Sequence, residues 1–354
     1  MYLKRLHIRG FRCISDLTLN LCKGINILVG ENDTGKTTII DALRICLGLA
    51  VEKRDIWVTL DDFHVNQTGA VAEVIEFHLS FDDLTLREQG IFIEMLTVPG
   101  DSSFELQLHV RFTYDLVKDR VRREYWGGEK EGQSIPSEVL ELIHYIHLDA
   151  LRDASRDLAP RRGSQLSRLF LKLVPVENDR KIYENEINDR IQSVHKLKDL
   201  IRDGENRINE HLMKVVLRDS IQKVEIALVD KNFRDIVEGL KIQVLCDIKR
   251  GINKPHLDKQ RIEFKIWQNG LGLNNIIYIA TVLGDLLEKR TREPDSFISL
   301  LIEEPEAHLH PQLQNLLFTY LEEIKDRNIQ IFITSHSPTI TAKTKLDSVM
   351  VLMR

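Results

Sequence analysis

The sequence of 354 residues has few cysteines and no excess of basic charge, and both shortages exclude classes of protein. Its four cysteines, Cys13, Cys22, Cys46 and Cys246, show no CxxC spacing, so they predict neither a disulfide framework nor a zinc site. The formal net charge is −5, which argues against a purely electrostatic coat on nucleic acid. Any contact with DNA must therefore come from a local patch.

Long apolar runs are also missing from the sequence. No run approaches the ~20 residues that a membrane helix needs, and the N-terminus MYLKRLHIRGF alternates like a strand instead of forming a signal-peptide core. We therefore expect a cytoplasmic protein without a membrane partner. The apolar content of 43% is sufficient for one main core that carries an inserted subdomain.

A glycine-rich loop between a strand and a helix carries the first chemical signal. Residues 25–29 are almost entirely apolar, residues 30–37 (GENDTGKT) match GxxxxGK[ST] in full, and residues 37–47 have helical apolar spacing. Glycine lets backbone N–H groups curl around phosphate at a helix N-terminus. A glycine loop that merely caps a helix is the alternative, and the flanking strand and helix disfavour it.

This loop predicts binding of ATP together with Mg²⁺. We expect Lys36 to reach the β- and γ-phosphates and the Thr37 hydroxyl to bind the metal. The predicted nucleotide-binding residues are Gly30, Glu31, Asn32, Asp33, Thr34, Gly35, Lys36, Thr37 and Thr38.

Two further strands end in residues that suit phosphoryl transfer. The apolar residues 299–302 lead into Glu303 and Glu304, which are predicted to face the Mg²⁺ shell and the attacking water. The apolar residues 329–333 lead into His336, which is predicted to contact the γ-phosphate or that water. Solvated surface acids and a structural histidine are the alternatives. The preceding GxxxxGKT loop favours the functional interpretation.

These segments resemble a known family. GENDTGKTT, LLIEEPEAHLHP and ITSHSP, with the opening LKRLHIRGFR, are similar to the ATPase heads of the RecF/SMC branch of the ABC superfamily. Within that branch they most resemble the OLD (overcoming lysogenization defect) family and anti-phage relatives such as the Gabija ATPase-nuclease. Residues 61–63 and 147–153 (HLDALRD) extend the resemblance. It implies an α/β fold, an ABC/SMC-type P-loop ATPase head with an antiparallel β flank and a helical insertion.

The resemblance also implies roles for individual residues. Glu303 takes the metal-side acidic position, Glu304 that of the catalytic glutamate and His336 that of the switch histidine, while residues 307–310 fall where the D-loop lies. In such heads two subunits sandwich ATP, and a signature loop from one closes on the nucleotide of the other. Residues 268–272, ahead of a helix predicted at Ile276, are the candidate loop. Its expected nucleotide contacts are Asn269, which replaces the usual serine, Gly270 and Gly272.

Some arginines and one aspartate have two interpretations each. Arg12 either approaches the nucleotide phosphates or is a solvated strand-end residue, and Asp62 is either a glutamine-loop equivalent or part of a surface turn. A basic stretch offers a candidate DNA contact because arginine forks bind phosphate oxygens, although an exposed charged helix is the commoner explanation. Its members are Arg152, Arg156, Arg161, Arg162 and Arg168.

The chain is expected to have three parts. Residues 1–175 are expected to form an N-terminal ATPase lobe with the β flank, and residues 233–354 a C-terminal ATPase lobe. Residues 176–232 are expected to form a charged helical insertion that either packs locally or pairs with a second subunit as a dimerisation arm. The strand-like alternation over residues 71–81 and 104–114 predicts the β flank. Helices are predicted at 276–287 and 312–325, and strands at 297–302 and 329–334.

The functional hypothesis is an ATP-hydrolysing head that forms a homodimer or higher homo-oligomer and regulates a nuclease in anti-phage defence or DNA repair. OLD-type proteins carry a Toprim nuclease domain after the head, and residues 339–354 hold no such ligand set, so that nuclease is expected elsewhere in the same protein or in a separate partner. The alternative is a slowly hydrolysing, ATP-dependent oligomeric scaffold that holds an effector. A transporter ATPase is disfavoured because no membrane-coupling helix pair is visible.

Overall fold

The computed structural model describes residues 1–50, 56–98, 104–115, 118–150, 154–194, 198, 201–203, 206, 230–247, 261–265, 268–307, 309–325 and 327–353. The chain divides into two compact units. Unit 1 comprises Met1–Asp153, Leu271–Ile279 and Lys289–Arg354, and unit 2 comprises Ala154–Gly270 and Ala280–Glu288. The three-part division with boundaries at residues 175 and 232 stays a prediction.

Unit 1 is an α/β unit with two sheets. Its described strands are β1 (Tyr2–Phe11), β2 (Ile14–Asn20), β3 (Ile25–Gly30), β4 (Val74–Asp82), β5 (Leu96–Thr97), β6 (Glu105–Asp115), β7 (Arg120–Gly127) and β8 (Ile143–Leu148), and later in the chain β11 (Phe297–Glu303), β12 (Gln330–Ser335) and β13 (Val349–Leu352). Its described helices are α1 (Lys36–Leu47), α2 (Leu86–Ile91), α3 (Ser137–Leu140), α9 (Pro311–Lys325) and α10 (Pro338–Lys343). Short 3₁₀ turns cover Leu60–Asp62, Ile93–Met95 and Leu346–Ser348.

The first sheet is the antiparallel flank that the alternating segments predict. Its order is β2-β1-β4-β6-β5, and β7 pairs with the other part of β6. Buried and partly exposed residues alternate strictly along β4, so one face of the sheet lies in the core. Phe77 in that face makes edge contacts with Phe11 and Phe112 at ring separations of 5.2 and 6.2 Å. The flank thus forms a hydrophobic layer of unit 1.

The second sheet is parallel and has the order β13-β3-β12-β11-β8. Every residue of β11 (FISLLIE) and β12 (QIFITS) is buried, which explains the large apolar residues along both strands. Parallel strands direct their carboxyl ends to one edge. The segments that follow β3, β11 and β12 are therefore brought to the same edge, as the sequence predicts.

Unit 2 is smaller and mostly helical. Its elements are α4 (Ala154–Asp157), α5 (Gln165–Leu173), α6 (Glu177–Gln192), α7 (Phe233–Glu238) and the antiparallel pair β9 (Gln243–Asp247) and β10 (Arg261–Lys265). Helix α6 lies at the start of the segment predicted as a helical arm, and it has no buried residue. Tyr183 and Arg180 of α6 contact the Phe233 ring of α7. Most of the remaining arm, over 195–229, lies outside the described residues.

Helix α8 (Leu271–Arg292) contributes residues to both units. It begins at Leu271, which is more than one helical turn before the predicted start at Ile276. Among the helices that the structure describes, α8 alone is long and apolar enough to cross a membrane, but 50% of its apolar window is buried inside the protein. A core helix has the same character. The expected cytoplasmic location and lack of a membrane partner stay predictions.

A row of ring side chains crosses the antiparallel sheet on the face opposite the phenylalanines. Strand register places His7, His78, His109 and Trp126 side by side on β1, β4, β6 and β7. His7 stacks on His78 with centroids 5.4 Å apart, His109 stacks on Trp126 at 5.1 Å, and His78 is hydrogen-bonded to His109. Burial, reinforced by the neighbouring His109, lowers the pKa of His78 to about 4.

This row predicts a loss of stability in mild acid. The folded-state pKa of His78 lies below its ordinary value of 6.5, so the unfolded chain binds more protons between pH 6.5 and 4 and stability falls as pH decreases there. The free energy of unfolding of the parent should therefore be lower at pH 5 than at pH 7.5. We expect His78→Gln to reduce this difference by about 1 to 2 kcal/mol, after allowance for partial exposure, and urea unfolding at the two pH values measures it. His310→Gln at an exposed position is the control. Equal acid sensitivity of parent and His78→Gln would contradict the assignment.

Candidate active site

The glycine-rich loop joins β3 to α1. Gly35 precedes α1 with a φ of 94°, in the left-handed region that favours glycine, and Asp33 also has a positive φ of 63°. At Gly30 a Cβ atom would lie 2.6 Å from the Leu352 carbonyl oxygen and 2.7 Å from Thr34 Oγ1, so only glycine fits there. The sequence therefore folds this loop tightly over the end of β3.

The start of α1 is open toward a ligand. Gly35 provides no side-chain cap, and no acidic residue occupies the first turn, so this helix N-terminus keeps its preference for an anion. Thr37 is exposed, while Lys36 and Thr38 are buried. Glu31, Asn32 and Asp33 are exposed in the loop. These features fit a bound phosphate group.

Lys36 lies under the loop. Its Nζ donates to the carbonyl oxygens of Gly30 at 2.8 Å and Glu31 at 2.6 Å. Burial lowers the pKa of the Lys36 ammonium, and the carboxylates of Glu304 and Asp33 oppose this effect. The lysine is thus fixed beside the loop in a position where a phosphate anion would favour its charged form.

Glu303 connects three elements at the end of β11. Its Oε2 accepts a hydrogen bond from Thr37 Oγ1 at 3.0 Å, and its Oε1 lies 2.8 Å from His147 Nε2 at the end of β8. The Glu303 side chain is 10% exposed and that of His147 12% exposed, so this contact is shielded from solvent. A hydroxyl and a carboxylate oxygen at this separation are the oxygen ligands that Mg²⁺ prefers, and Mg²⁺ on a nucleotide needs only one or two from the protein.

Glu304 and His336 form a second pair of polar residues at this edge of the parallel sheet. Glu304 Oε1 lies 3.6 Å from His336 Nε2, and both side chains are about two-fifths exposed, at 43% and 38%. Glu304 has a φ of 43°, an unusual value for a residue other than glycine, and its N–H donates to the Thr334 carbonyl at 2.9 Å. Strained backbone of this kind is concentrated at functional sites.

Comparison with known proteins shows the family of the chain. A family model described as an AAA ATPase domain matches residues 1–237 and 142–341. The chain belongs to this family of ATPases. Its ATPase character and the predicted resemblance to the OLD family are both confirmed by these matches and by the relatives that follow.

The relatives are longer proteins. The chain is 26% identical to the OLD nuclease of Thermus scotoductus over 99% of its own length and 62% of that protein. It is 23% identical to Endonuclease GajA of Bacillus cereus, covering 91% of this chain and 53% of that protein. The Old nuclease of Escherichia phage P2 is also 23% identical, over 99% and 59%. The chain therefore spans about three-fifths of the length of these relatives.

Solved structures confirm the predicted fold class. The crystal structure of an Smc head bound to the C-terminal winged-helix domain of ScpA has a TM-score of 0.56 at 16% identity, and the match covers 100% of this chain and 95% of that one. An Smc head domain with an extended coiled coil from Pyrococcus furiosus has a TM-score of 0.51 at the same identity, over 96% and 91%. This likeness shows the fold of the ATPase domain.

Arg12 lies near the nucleotide loop but is held by acids. Its Nη1 donates to Asp41 Oδ2 at 2.6 Å, and its Nε donates to Asp62 Oδ1 at 2.7 Å. Asp41 lies on α1, one turn beyond Thr37, and also binds Arg44. The Arg12 guanidinium is therefore paired with two carboxylates, and 31% of its side chain is exposed. Its contact with phosphate, and the glutamine-loop role of Asp62, stay predictions.

The candidate signature loop lies ahead of and inside α8. Asn269 Nδ2 donates to the Lys265 carbonyl at 3.0 Å, Gly270 has open space where a Cβ would point, and Gly272 lies in the first turn of the helix. Gly272 is thus helical instead of part of the preceding loop. Asn269 and Gly270 belong to unit 2, and the site residues above belong to unit 1. Their nucleotide contacts stay a prediction.

The basic stretch is only partly described. Arg161 forms an ion pair with Asp157, the last residue of α4, and Arg162 and Arg168 are exposed. Arg152 lies outside the described residues, and Arg156 is part of α4. DNA contact by this stretch stays a prediction. His147 is the site residue that sequence reasoning did not assign, although its HLDALRD segment formed part of the family resemblance.

Proposed function

We propose that this ATPase domain binds Mg·ATP at the edge formed by β3, β11 and β12, hydrolyses it, dimerises around it and thereby regulates a nuclease. The contact between Thr37 Oγ1 and Glu303 Oε2, beside the Glu304–His336 pair, is the observation that carries the proposal. Two oxygens of the kind that Mg²⁺ prefers and a carboxylate suited to act as the base support the proposal, since all three belong to residues beside the glycine-rich loop.

The side chains of this site bind phosphate, bind the metal or activate water. The loop N–H groups and Lys36 bind the phosphates, and Thr37 with Glu303 holds Mg²⁺, which supplies charge neutralisation when bound. His147 holds the Glu303 carboxylate by its Nε2 contact. Glu304 orients the attacking water and accepts its proton, and His336 donates a hydrogen bond to the γ-phosphate or that water.

Dimerisation and nuclease control extend the proposal beyond one chain. SMC-type heads and the sequence resemblance support a composite site in which Asn269 and Gly270 of one copy approach ATP held by another. The matched relatives are named as nucleases and are longer than this chain, so the head is proposed to control a nuclease, of Toprim type, within the same protein or in trans. ATP binding would favour the closed dimer and hydrolysis would reopen it, because the two states bind nucleotide differently.

Concentration dependence tests the dimeric part of the proposal. We expect ATP turnover per protomer to rise steeply over a ~100-fold range of protein concentration, because mass action populates the composite site. Double-stranded DNA added in parallel tests the basic stretch, with Arg162→Ala/Arg168→Ala as the variant. Constant turnover per protomer would show that one chain is sufficient. Tight ATP binding without turnover would instead favour the scaffold alternative.

A further inference from the structure

We infer that Glu306 is a positioning residue for ATP hydrolysis, fixing the backbone that carries His336 so that the imidazole stays beside Glu304. The inference rests on the proposed roles of Glu304 and His336. Glu306 contacts the backbone of His336 and not its imidazole, so it acts through the 335–337 segment.

Three hydrogen bonds join residues 335–337 to one oxygen atom of Glu306. A single oxygen, Glu306 Oε1, accepts from Ser335 Oγ at 2.8 Å, from the His336 N–H at 2.7 Å and from the Ser337 N–H at 3.0 Å. Two successive backbone N–H groups that converge on one acceptor form an anion-binding arrangement. The donor set therefore suits a carboxylate, with each bond strengthened by the negative charge.

The segment that carries Glu306 is also fixed by hydrogen bonds. It lies three residues after the end of β11, where the Ala307 N–H donates to the Glu304 carbonyl at 3.0 Å. A second link between the two segments runs through Gln314 of α9, whose Oε1 accepts from Ser337 Oγ at 2.8 Å while its Nε2 donates to the Leu309 carbonyl at 3.0 Å. The segments after β11 and β12 are thus bonded together at two points.

The second carboxylate oxygen of Glu306 is buried, which is unfavourable for the stability of the fold. Within the described residues, Glu306 Oε2 is buried and has no hydrogen-bond partner. A buried oxygen without a partner is unfavourable, so packing alone does not account for a glutamate here. The position of His336 relative to Glu304, with 3.6 Å between Nε2 and Oε1, is the feature that the carboxylate secures.

Three substitutions separate positioning from a general structural role. Glu306→Ala removes all three bonds, Glu306→Gln keeps the acceptor oxygen, and Glu306→Asp withdraws the carboxylate by one methylene. We expect Glu306→Ala and Glu306→Asp to lower kcat by ~10- to 100-fold, because small displacements of reacting groups have large effects, with the Kd for ATP changed less than about twofold. Glu306→Gln should recover most of kcat. Glu323→Ala, at an exposed site on α9, is the matched control.

A double-mutant cycle with His336→Gln gives the deciding result. If Glu306 acts through His336, then Glu306→Ala should lower kcat by less than about threefold in the His336→Gln background. Additive losses would overturn the inference, as would an unchanged kcat in Glu306→Ala or an equal loss of ATP affinity and kcat. Should Glu306→Ala fail to fold, the same cycle with Glu306→Asp decides the question.

The ¹⁵N resonances of the His336 ring supply a readout that does not require turnover. They should shift in Glu306→Asp, return toward the parent values in Glu306→Gln and stay unchanged in Glu323→Ala. Absence of ATP turnover in the parent protein would refute the proposed function alone, and these resonances would still test the placement of His336. Unchanged resonances in Glu306→Asp would overturn the inference.

Discussion

Glu304→Gln is expected to lower kcat for ATP hydrolysis by ~10²- to 10⁴-fold, the range associated with loss of a positioned general base. Glutamine has nearly the same shape but cannot accept the proton of the attacking water. ATP affinity should be equal to that of the parent or higher, because removal of the Glu304 charge reduces repulsion of the triphosphate and because Glu304 is one of the carboxylates near Lys36. Single-turnover hydrolysis and equilibrium binding of ATP measure the two effects separately.

Two further variants accompany this experiment, one as its control and one as a second test of the site. Glu323→Gln removes a carboxylate from an exposed position on α9, and its kcat should match that of the parent. His336→Gln should also lower kcat, since His336 Nε2 lies 3.6 Å from Glu304 Oε1. If Glu304→Gln turns over ATP at the parent rate, Glu304 is not the base, and the catalytic assignment at the end of β11 fails.

Lys36→Ala is expected to weaken ATP binding by ~10- to 150-fold, equivalent to the ~1.5–3 kcal/mol of a hydrogen bond to a charged group. Lys36 Nζ donates to the carbonyl oxygens of Gly30 and Glu31, and burial lowers the pKa of this ammonium group. A triphosphate would replace those neutral acceptors with charged ones. Equilibrium titration with a fluorescent ATP analogue in the presence of Mg²⁺ measures the loss.

The matched control is Lys343→Ala, which removes an exposed lysine of α10. Its ATP affinity should equal that of the parent. The thermal unfolding midpoint of Lys36→Ala without nucleotide should stay close to that of the parent, because the variant loses only two bonds to loop carbonyls. ATP affinity preserved in Lys36→Ala would contradict nucleotide binding by this loop.

Local sequence was sufficient to predict the main elements of the site. The strand, loop and helix around Lys36 are contiguous, so the motif contains its own structural context. Glu303 and Glu304 at the end of β11, and the histidine after β12, follow mainly apolar segments, which indicate buried parallel strands. Their meeting at one edge follows from parallel pairing. The resemblance of these segments to the ATPase heads of the RecF/SMC branch predicted the fold class, which the solved structures confirm.

Other parts of the site depend on pairing between distant segments. His147 reaches Glu303 only because β8 lies beside β11, with Leu301 opposite His147, and no periodicity reveals that neighbour relation. The pairing of Arg12 with Asp41 and Asp62 likewise joins residues 29 and 50 positions apart. The early start of α8 at Leu271 was missed because two glycines, Gly270 and Gly272, suggested a loop.

A crystal structure of Glu304→Gln with Mg²⁺ and ATP tests the central claim most directly. The account predicts the triphosphate over residues 30–38 and a metal ion ~2.0–2.1 Å from Thr37 Oγ1, with the Glu303 carboxylate bound to it directly or through one water. It also predicts His336 within hydrogen-bond distance of the γ-phosphate or the adjacent water. A metal ion that contacts neither Thr37 nor Glu303, or a triphosphate bound away from this loop, would contradict the account.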